Sequence, residues 1–399
     1  MIRIAGTGCA LLDFIHADVD FSSPAFSALR SRRPGDGGLE PGKLVFAEDF
    51  ERFAGADLTV ALAALLRGAA PDACNVGGPG IVAMIHAAQI LHAQGGERFS
   101  VDFTGARGAD ANGGLLGSMV APCGLDGLTL VPKEGRTAFT LVLSDPRHDG
   151  GRGERCFINE IGAAGRLGAE DLPASLFDAD IAVFGGTGLT PALHDSLGPL
   201  LARCRSAGAL TIVNTVYDFR NERRDPVGRW PLGSDEGTYA SVDLLVADLE
   251  EALRLSGASD ASGALAFFGS RGVGAAVVTS GTRDIAVAAF GKGRFAVMPE
   301  RRYPVSAAVM EELAAHPERR GDTTGCGDNF AGGLVASAAM QLAAGSGLID
   351  LGEALAWAVA SGGFACFHVG GVFTEDRQGQ KKSLIEPRVS AWRSQVGLS

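Results

Sequence analysis

A glycine-rich run near the C-terminus, GDTTGCGDNFAGG at residues 321–333, is the feature that most constrains this chain. Glycines lack a Cβ atom, so consecutive backbone N–H groups in such a turn can point at one spot. The segment 330–343 is apolar, rich in alanine and free of proline, which predicts a buried helix beginning near Gly327. The first N–H groups of a helix are unpaired and lie at the positive end of its dipole. The sequence therefore predicts an anion site.

Asp328 stands at the start of that predicted helix. A carboxylate beside an anion hole suits phosphoryl transfer, because the amides hold charge on the migrating group while the carboxylate takes the proton of the acceptor hydroxyl. A glycine-rich turn capped by an aspartate is the simpler alternative. It leaves two acids, two threonines and five glycines within one short run unexplained. We therefore favour a phosphotransferase site.

The run resembles the C-terminal signature of the ribokinase-like (PfkB) family of carbohydrate and nucleoside kinases, usually written D-T-x-G-A-G-D. The resemblance implies ATP and Mg²⁺, Asp328 as the catalytic base, and the amides of Gly325, Cys326 and Gly327 as the anion hole. Cys326 stands where alanine is usual, which keeps the backbone role and adds a thiol. We expect a lowered pKa for a thiol at a helix N-terminus. The alternative is an inert, buried side chain that fills the place of the alanine.

Composition and charge argue against several classes of protein. The chain has 399 residues, 46% of them hydrophobic, and a net charge of −11 with scattered basic residues, which argues against nucleic acid or an anionic membrane as partner. The longest apolar stretch, 58–66, is too short to cross a bilayer, and the N-terminus lacks the pattern of a signal peptide. Seven cysteines without a C-x-x-C pair favour free thiols, and the histidines lack ligand spacing. We expect a soluble, cytoplasmic protein without a structural metal.

Strand-like apolar runs alternate with helix-like segments along much of the chain. The runs lie at residues 2–5, 100–104, 181–184, 210–213, 244–246 and 275–279. The helix-like segments lie at 81–94, 191–207, 250–255 and 261–271. This alternation predicts an α/β fold of three α/β/α layers, in which helices cover both faces of a mostly parallel central sheet. Ligands of such sheets bind at the carboxyl ends of the strands.

Short strand-like segments in two regions break the alternation and predict a second, smaller sheet. They lie at 14–19, 43–47, 128–131, 138–143 and 155–158. In the resembled family a β-sheet lid covers the acceptor, which here implies a lid formed by about 14–49 and 126–162. Residues 21–42 and 301–320 have the composition of insertions. Since no linker is long enough to separate two domains, we expect a single ribokinase-like kinase domain over 1–399.

The acceptor side of the resemblance lies in the N-terminal part of the chain. The first strand leads through a glycine turn to Asp13, which matches a family residue that holds substrate hydroxyls; a solvated aspartate at a strand end is the alternative. Leu11 stands at the third glycine position of a G-x-G-x-x-G motif and no helix follows, which argues against a dinucleotide fold. Gly77 and Gly78 precede a helix and resemble the N-terminal signature, whose glycines let the backbone approach the acceptor. Val82 stands where that signature has asparagine.

The nucleotide side of the resemblance follows strands of the predicted central sheet. Asp248 and Glu251 match the family's N-x-x-E position, which acts on Mg²⁺ through water, with Asp248 in place of asparagine. The same spacing is typical of a helix capping box, and both interpretations stay open. The resemblance assigns nucleotide contacts to Asn214, Thr279, Gly281 and Thr323.

A monovalent cation is also implied by the resemblance. In many family members K⁺ binds beneath the anion hole, and here the oxygens would come from Asp322, Thr324 and the loop 365–374. No G-x-x-x-x-G-K-[ST] motif occurs, which excludes a P-loop kinase.

These motifs together predict an ATP-dependent phosphotransferase acting on a hydroxyl of a sugar or sugar-like small molecule. A nucleoside kinase is the main alternative, because the layout between Asp13 and Gly77 resembles that of adenosine kinases. A ligand-sensing protein without catalysis would call for a degraded base or anion hole, and both are intact in the sequence. We expect no nucleic acid or membrane partner, and a homodimer through the lid is one of the open oligomeric states.

Overall fold

The computed structural model describes residues 1–33, 35–93, 98–151 and 153–398. Its strands are β1 (Ile2–Gly8), β2 (Leu11–His16), β3 (Leu44–Phe46), β4 (Ala73–Gly77), β5 (Phe99–Arg107), β6 (Gly127–Pro132), β7 (Phe139–Asp145), β8 (Glu154–Glu160), β9 (Ile181–Gly185), β10 (Leu210–Asn214), β11 (Leu244–Asp248), β12 (Ala275–Thr279), β13 (Ile285–Ala289) and β14 (Met298–Tyr303). Its helices are α1 (Pro24–Leu29), α2 (Ala47–Ala54), α3 (Leu58–Leu66), α4 (Pro79–His92), α5 (Ala111–Val120), α6 (His148–Gly151), α7 (Ala174–Phe177), α8 (Pro191–Asp195), α9 (Leu197–Ser206), α10 (Phe219–Arg224), α11 (Leu249–Ser256), α12 (Ala261–Ser270), α13 (Ala307–Ala315), α14 (Cys326–Ala343), α15 (Leu351–Ala365) and α16 (Gln380–Val396).

The larger sheet has the order β14-β13-β12-β11-β10-β9-β1-β5-β6. Its strands are parallel from β6 to β12, and only β13 and β14 join antiparallel at one edge. All six strand-like runs of the alternating pattern lie in this sheet. The predicted mostly parallel central sheet is therefore confirmed.

Helices cover both faces of the larger sheet because consecutive buried side chains of each strand point to opposite sides. Ile212 of β10 packs in one core with α4, α14 and α15, while its neighbour Val213 packs in a second core with α9, α11 and α12. The predicted helix 81–94 is α4, which ends at His92, and residue 94 lies outside the described residues. The predicted helix 191–207 is divided into α8 and α9 at Ser196.

The smaller sheet has the order β3-β8-β7-β2-β4. One strand prediction is wrong: residues 128–131 belong to β6, which pairs parallel with β5 at the edge of the larger sheet. In its place the smaller sheet contains β4, which pairs antiparallel with β2. The chain passes from β1 in the larger sheet to β2 in the smaller one across two residues, so the two sheets meet beside Asp13.

The segments predicted as insertions carry secondary structure of their own. Residues 21–42 contain α1, and residues 301–320 contain the end of β14 and all of α13, which packs against α16. In the described part of the chain, no helix is both long and apolar enough to span a membrane.

Candidate active site

The turn before α14 has an unusual backbone. Thr323 has a φ of 60° and Gly325 a φ of 74°, both in the left-handed region that side chains disfavour. A Cβ atom on Gly325 would lie 2.5 Å from the Cα of Gly371, so this position needs glycine. A β-branched residue at positive φ is an outlier, and strain of this kind is typical of functional sites.

The N-terminus of α14 presents backbone N–H groups without helical partners. Gly325 is the N-cap, and within the described residues no side chain caps this helix. The N–H of Asn329 is the first to reach a carbonyl four residues back, that of Gly325 at 2.8 Å, so the N–H groups of Gly327 and Asp328 precede the helical ladder. A Cβ atom on Gly327 would meet nothing within 4 Å. The helix start therefore opens onto space, as an anion site requires.

The side chain of Asp328 is half-buried and faces the cleft in front of this helix. Removal of the carboxylate from water raises the pKa of Asp328 to about 6, although a hydrogen bond from the Asn214 side chain acts to lower it. Asn214 is the last residue of β10, so the carboxylate is held between the edge of the larger sheet and α14. At neutral pH Asp328 is ionised yet more basic than an exposed aspartate, which suits a general base.

Asp13 lies on β2 between Asn75 of β4 and Thr140 of β7. Burial, and then the charges of Asp328 and Asp322, raise the pKa of Asp13 to about 7, although a hydrogen bond with Thr140 acts to lower it. The two carboxylates line one cleft. The pKa of the Cys9 thiol, raised mainly by burial, also responds to both carboxylates.

The pair Gly77 and Gly78 lies where β4 turns into α4. A Cβ atom on Gly77 would lie 2.2 Å from Oδ2 of Asp13, and one on Gly78 would lie 2.7 Å from the carbonyl oxygen of Cys9. Gly78 also has a φ of 100°. Gly77 therefore needs to be glycine because its backbone passes against the Asp13 carboxylate, and Gly78 because of its positive φ and the nearby backbone of Cys9.

Asp248 and Glu251 form a capping box at the start of α11. Oδ1 of Asp248 accepts from the N–H of Glu251 at 2.8 Å, and Oε2 of Glu251 accepts from the N–H of Asp248 at 3.2 Å and from Oγ1 of Thr215 at 2.5 Å. Burial raises the pKa of Glu251 to about 8, and the charges of Asp248 and then Asp328 act in the same direction. Both interpretations of the D-x-x-E spacing are thus compatible: the residues cap α11 and also face the cleft.

The residue set fits a hydrated Mg²⁺ better than a caged metal ion. Within the described residues no three acidic, histidine or cysteine side chains cluster as a metal site. Mg²⁺ in phosphotransferases usually keeps several waters and takes one or two carboxylates besides the phosphates. Asp248 and Glu251 supply such carboxylates on the wall of the cleft that contains Asp328, and their mutual repulsion favours a cation nearby.

Asp322 and Thr324 lie beneath the turn. Oδ1 of Asp322 accepts from the N–H groups of Thr324 at 3.0 Å and Gly370 at 3.1 Å, whereas Oδ2 is buried and accepts no hydrogen bond from the described residues. Arg155 of β8 donates to the carbonyl oxygen of Asp322 and, at 3.2 Å, to Oγ1 of Thr324. The unpartnered Oδ2 of Asp322 fits a monovalent cation. The carbonyl oxygen of Asp322 and Oγ1 of Thr324, in contrast, already accept hydrogen bonds from the Arg155 guanidinium.

One cleft of about 960 Å³ brings most of the predicted site residues together. They are Asp13, Gly77, Gly78, Asp248, Glu251, Thr324, Gly325 and Asp328. A second pocket of about 330 Å³ is lined by Thr279 and Gly281, two of the residues predicted to contact the nucleotide. Cys326, Gly327 and Asp248 line it as well, and Asp248 also lines the cleft. Thr323 is exposed, and its Oγ1 accepts from Arg155 at 3.2 Å.

A buried polar network under the turn was missed by sequence reasoning. Nδ2 of Asn329 donates to the carbonyl oxygens of Gly325 and Gly371, both at 2.8 Å. Oδ1 of Asn329 contacts Nδ1 of His86 at 2.7 Å and accepts from Nζ of the fully buried Lys381 at 3.0 Å. Asn329 directly follows Asp328 in the motif, and that position was a signal for it. Nothing in the sequence pointed to Lys381, which lies over fifty residues away.

The two cysteines beside the turn contact each other. Sγ of Cys326 lies 3.6 Å from Sγ of Cys366. The hydrogen bond between the two thiols and then burial raise the pKa of Cys326, and the same hydrogen bond lowers the pKa of Cys366 to about 7. The expected lowering of the pKa at Cys326 is therefore wrong, because the prediction took account of the helix dipole and not of a second thiol.

A protein family and several solved structures are similar to this chain. The sequence profile described as "pfkB family carbohydrate kinase" matches residues 73–377. No curated protein matches the chain in sequence. Among solved structures, adenosine kinase from Schistosoma mansoni in complex with 2-fluoroadenosine is similar over 95% of this chain and 98% of that chain, with 14% identity and a TM-score of 0.68.

Two further solved structures have the same fold. A probable sugar kinase protein from Rhizobium etli CFN 42 is 19% identical, with a TM-score of 0.64, over 100% of this chain and 99% of that one. A putative ribokinase II from E. coli is 17% identical, with a TM-score of 0.61, over 97% of this chain and 100% of that one. The predicted three-layer ribokinase-like fold is thereby confirmed.

Proposed function

The chain belongs to the pfkB family of carbohydrate kinases, and from that premise we propose that it transfers the γ-phosphoryl group of ATP to a primary hydroxyl of a sugar or sugar-like acceptor. The family makes the protein a phosphotransferase of sugar or nucleoside substrates. The proposal narrows the acceptor and assigns the residues.

The observation that carries the proposal is the position of Asp328 beside the open N-terminus of α14. In the proposed mechanism the Asp328 carboxylate accepts the proton of the acceptor hydroxyl as that oxygen attacks the γ-phosphorus. The predicted N–H groups of Gly325, Cys326 and Gly327 stabilise the negative charge on the transferring group. The N–H of Cys326 donates to the carbonyl oxygen of Thr323 at 3.4 Å, so it acts on the transferring group only when this long bond opens. A pKa of about 6 keeps Asp328 ionised at neutral pH while leaving it basic enough for this task.

The acceptor would lie against the smaller sheet. Asp13, Thr140 and Asn159 line the same cleft with polar oxygens and amides. Nδ2 of Asn159 donates to Oγ1 of Thr140 at 3.0 Å, while Oδ1 of Asn159 is buried without a partner among the described residues. Asn159 and Asp13 lie on either side of Thr140. A cleft lined by an unpaired buried acceptor and a carboxylate favours a ligand with several hydroxyl donors, which would satisfy both groups.

At the nucleotide end, Thr279 and Gly281 would line the site for ATP, and Asn214 and Thr323 would lie near its phosphates. Asp248 and Glu251 would hold Mg²⁺ through water. When bound, Mg²⁺ supplies charge neutralisation of the phosphate oxygens. Asp322 and Thr324, with the loop 365–374, would hold K⁺ beneath the turn.

A nucleoside acceptor is the second candidate, and the aromatic wall of the cleft favours it. Phe157, Tyr217 and Phe219 line the cleft on the acceptor side. The rings of Tyr217 and Phe219 lie 4.6 Å apart. Such rings provide the flat apolar surface on which a base stacks, whereas a free sugar leaves this surface uncovered.

An ATP-consumption assay across pentoses, hexoses, inositols and nucleosides tests the proposal, with Asp328→Asn as the control for site-specific turnover. We expect acceptor-dependent ADP formation for one class of polyhydroxyl compound and its loss in the control. Turnover with nucleosides alone would replace the first candidate by the second. Turnover with none of the four classes would contradict the proposed function.

The assembly and location of the protein stay predictions. A homodimer through the lid sheet is expected to elute at twice the mass of a 41.0 kDa chain in size-exclusion chromatography with light scattering. A cytoplasmic location is checked by fractionation of the source cells.

A further inference from the structure

Two cysteines meet where the nucleotide pocket touches the anion hole. Cys326 is the first residue of α14, and Cys366 follows the last residue of α15. Their sulfur atoms are 3.6 Å apart. Both side chains are half-buried, and both line the pocket that contains Thr279 and Gly281. The pair is therefore reachable from the site that would hold the nucleotide.

The backbone holds the two cysteines close together. A Cβ atom on Gly362 of α15 would lie 3.1 Å from the carbonyl oxygen of Cys326, so a glycine lets the end of α15 approach the first turn of α14. The carbonyl oxygen of Cys366 also accepts from the N–H of Gly321 at 2.8 Å. Gly321 and Cys326, which lie at the two ends of the turn before α14, are thus both in contact with Cys366.

This contact distinguishes the pair from the other thiols of the chain. Cys9, Cys123, Cys156 and Cys204 are buried, and Cys74 contacts the sulfur of Met119 at 3.8 Å. No other hydrogen bond joins two cysteines in the described part of the chain. The active-site thiols are therefore the ones placed to react with each other.

We propose that Cys326 and Cys366 form a reversible disulfide in the presence of a peroxide, and that this disulfide switches off phosphoryl transfer. The switch rests on the proposed function, whereas formation of the disulfide does not. Nothing in the phosphotransfer mechanism uses either sulfur atom, so the pair is available for a separate role.

The chemistry balances with one peroxide per pair. One thiolate attacks a peroxide oxygen, the O–O bond breaks, and a sulfenic acid and hydroxide form. The second thiol attacks the sulfenic sulfur, an S–S bond forms, and water leaves with the second proton. With hydrogen peroxide, two thiols lose two protons and two electrons, and two waters are produced. Both sulfur atoms belong to residues that line the pocket, so either thiolate can be the one that meets the peroxide.

Closing the disulfide would move the anion hole. The sulfur atoms must approach from 3.6 Å to a bonded distance of about 2.05 Å. The first turn of α14 carries Cys326 and the amides at the site, so it would be drawn toward α15. A donor displaced by even about 1 Å loses much of its effect on the transition state. A nucleotide in the adjoining pocket would screen both sulfur atoms.

The experiment treats the full-length reduced protein with hydrogen peroxide and measures free thiols, intact mass, peptide linkage and kinase activity. The disulfide predicts the loss of two thiols, a mass lower by about 2 Da and a peptide pair joining Cys326 to Cys366. Activity should fall at least about tenfold and return with dithiothreitol, and Mg-ATP should slow the reaction.

Cys366→Ser and Cys326→Ala remove one partner each, and Cys74→Ser serves as the matched control. Each variant is compared with its own reduced form, and only Cys74→Ser should keep both the cross-link and the peroxide-dependent loss of activity. A cross-link at other cysteines, an added oxygen without a cross-link, or a cross-linked protein with full activity would overturn the proposal. If the reduced protein phosphorylates no acceptor, the proposed function fails, while thiol counts and masses still decide whether the disulfide forms.

Discussion

The two ends of the cleft are built in different ways. The proposed phosphoryl-transfer end lies on α14, whose first turn packs against α15 and contacts the network of Asn329, His86 and Lys381. The proposed acceptor end lies on the smaller sheet, whose strands β3 and β4 have three and five residues. The first end is built on helices, whereas the second is built on a sheet that is joined to the turn through Arg155 and to the loop after α15 through Asn75. Chemistry shared by a family suits the start of a buried helix, and acceptor choice suits the side chains that a sheet presents to the cleft.

A buried network holds the backbone at the proposed transfer end. Asn329 bonds two main-chain carbonyls that flank the turn, and the ammonium of Lys381 and the ring of His86 both contact Oδ1 of Asn329. Oε1 of Gln89 accepts from the same ammonium at 2.9 Å. Buried polar groups in a fully bonded network restrict the backbone to one arrangement.

The largest expected effect comes from Asp328→Asn at the transfer end. The substitution keeps the size of the side chain but removes the base, and general-base loss costs about 10²–10⁴ in rate. We expect turnover to fall at least about 100-fold, with nucleotide affinity in calorimetric titration nearly unchanged. Wild-type turnover should also decline as the pH falls through about 6, because Asp328 becomes protonated. A variant with most of its turnover would contradict the assignment of the base.

Asp13→Ala tests the other end of the cleft. Asp13 is expected to orient the acceptor, and a hydrogen bond to a charged group contributes about 1.5–3 kcal/mol, or roughly 10–100-fold. The ratio kcat/KM for the acceptor should fall by that factor, while the affinity for nucleotide stays the same. Steady-state kinetics with each substrate varied in turn provide the check. A loss of nucleotide affinity instead would place Asp13 at the wrong end.

Asn329→Asp tests whether the network supports the turn. The variant is nearly isosteric, but it loses the Nδ2 donor to the carbonyl oxygens of Gly325 and Gly371. The carbonyl of Gly325 keeps the backbone N–H of residue 329, so the larger cost, about 1–3 kcal/mol, falls on the carbonyl of Gly371. We expect a lower free energy of unfolding in urea and a turnover reduced about tenfold, with the acceptor KM almost unchanged. Since Ser337 lies on the same helix away from the turn, Ser337→Ala is the control and should keep turnover. An equal fall in turnover for both variants would contradict a specific role for Asn329.

The smallest effect is expected from a monovalent cation. The unpartnered Oδ2 of Asp322 lies beneath the turn, and a cation there would reinforce the transfer end without touching the acceptor. We expect a few-fold higher turnover, about 2–5-fold, in KCl than in choline chloride at equal ionic strength. Equal rates in the two salts would remove the K⁺ site from the account.

The transfer end was predictable from the sequence because its parts are contiguous. One run carries the turn, the amides and the base, and the structure brings Gly325, Cys326, Gly327 and Asp328 together at the start of α14. The strand 128–131 was placed in the wrong sheet because its apolar pattern gives no information on which strand it pairs with. Arg155 and Lys381 were missed because their contacts with the turn are set by tertiary packing between distant segments. The acceptor end depends on such contacts throughout, which is why the acceptor is the least predictable part.

Phosphorus NMR of the reaction with ATP, Mg²⁺ and the best acceptor of the panel tests the central claim most directly. Direct transfer to a primary hydroxyl predicts one new phosphomonoester resonance, split by two adjacent protons, that grows in step with ADP. The same reaction with Asp328→Asn should show neither signal on that timescale. ADP and inorganic phosphate without a phosphomonoester would mean that the cleft hydrolyses ATP with water as acceptor, and would contradict the account.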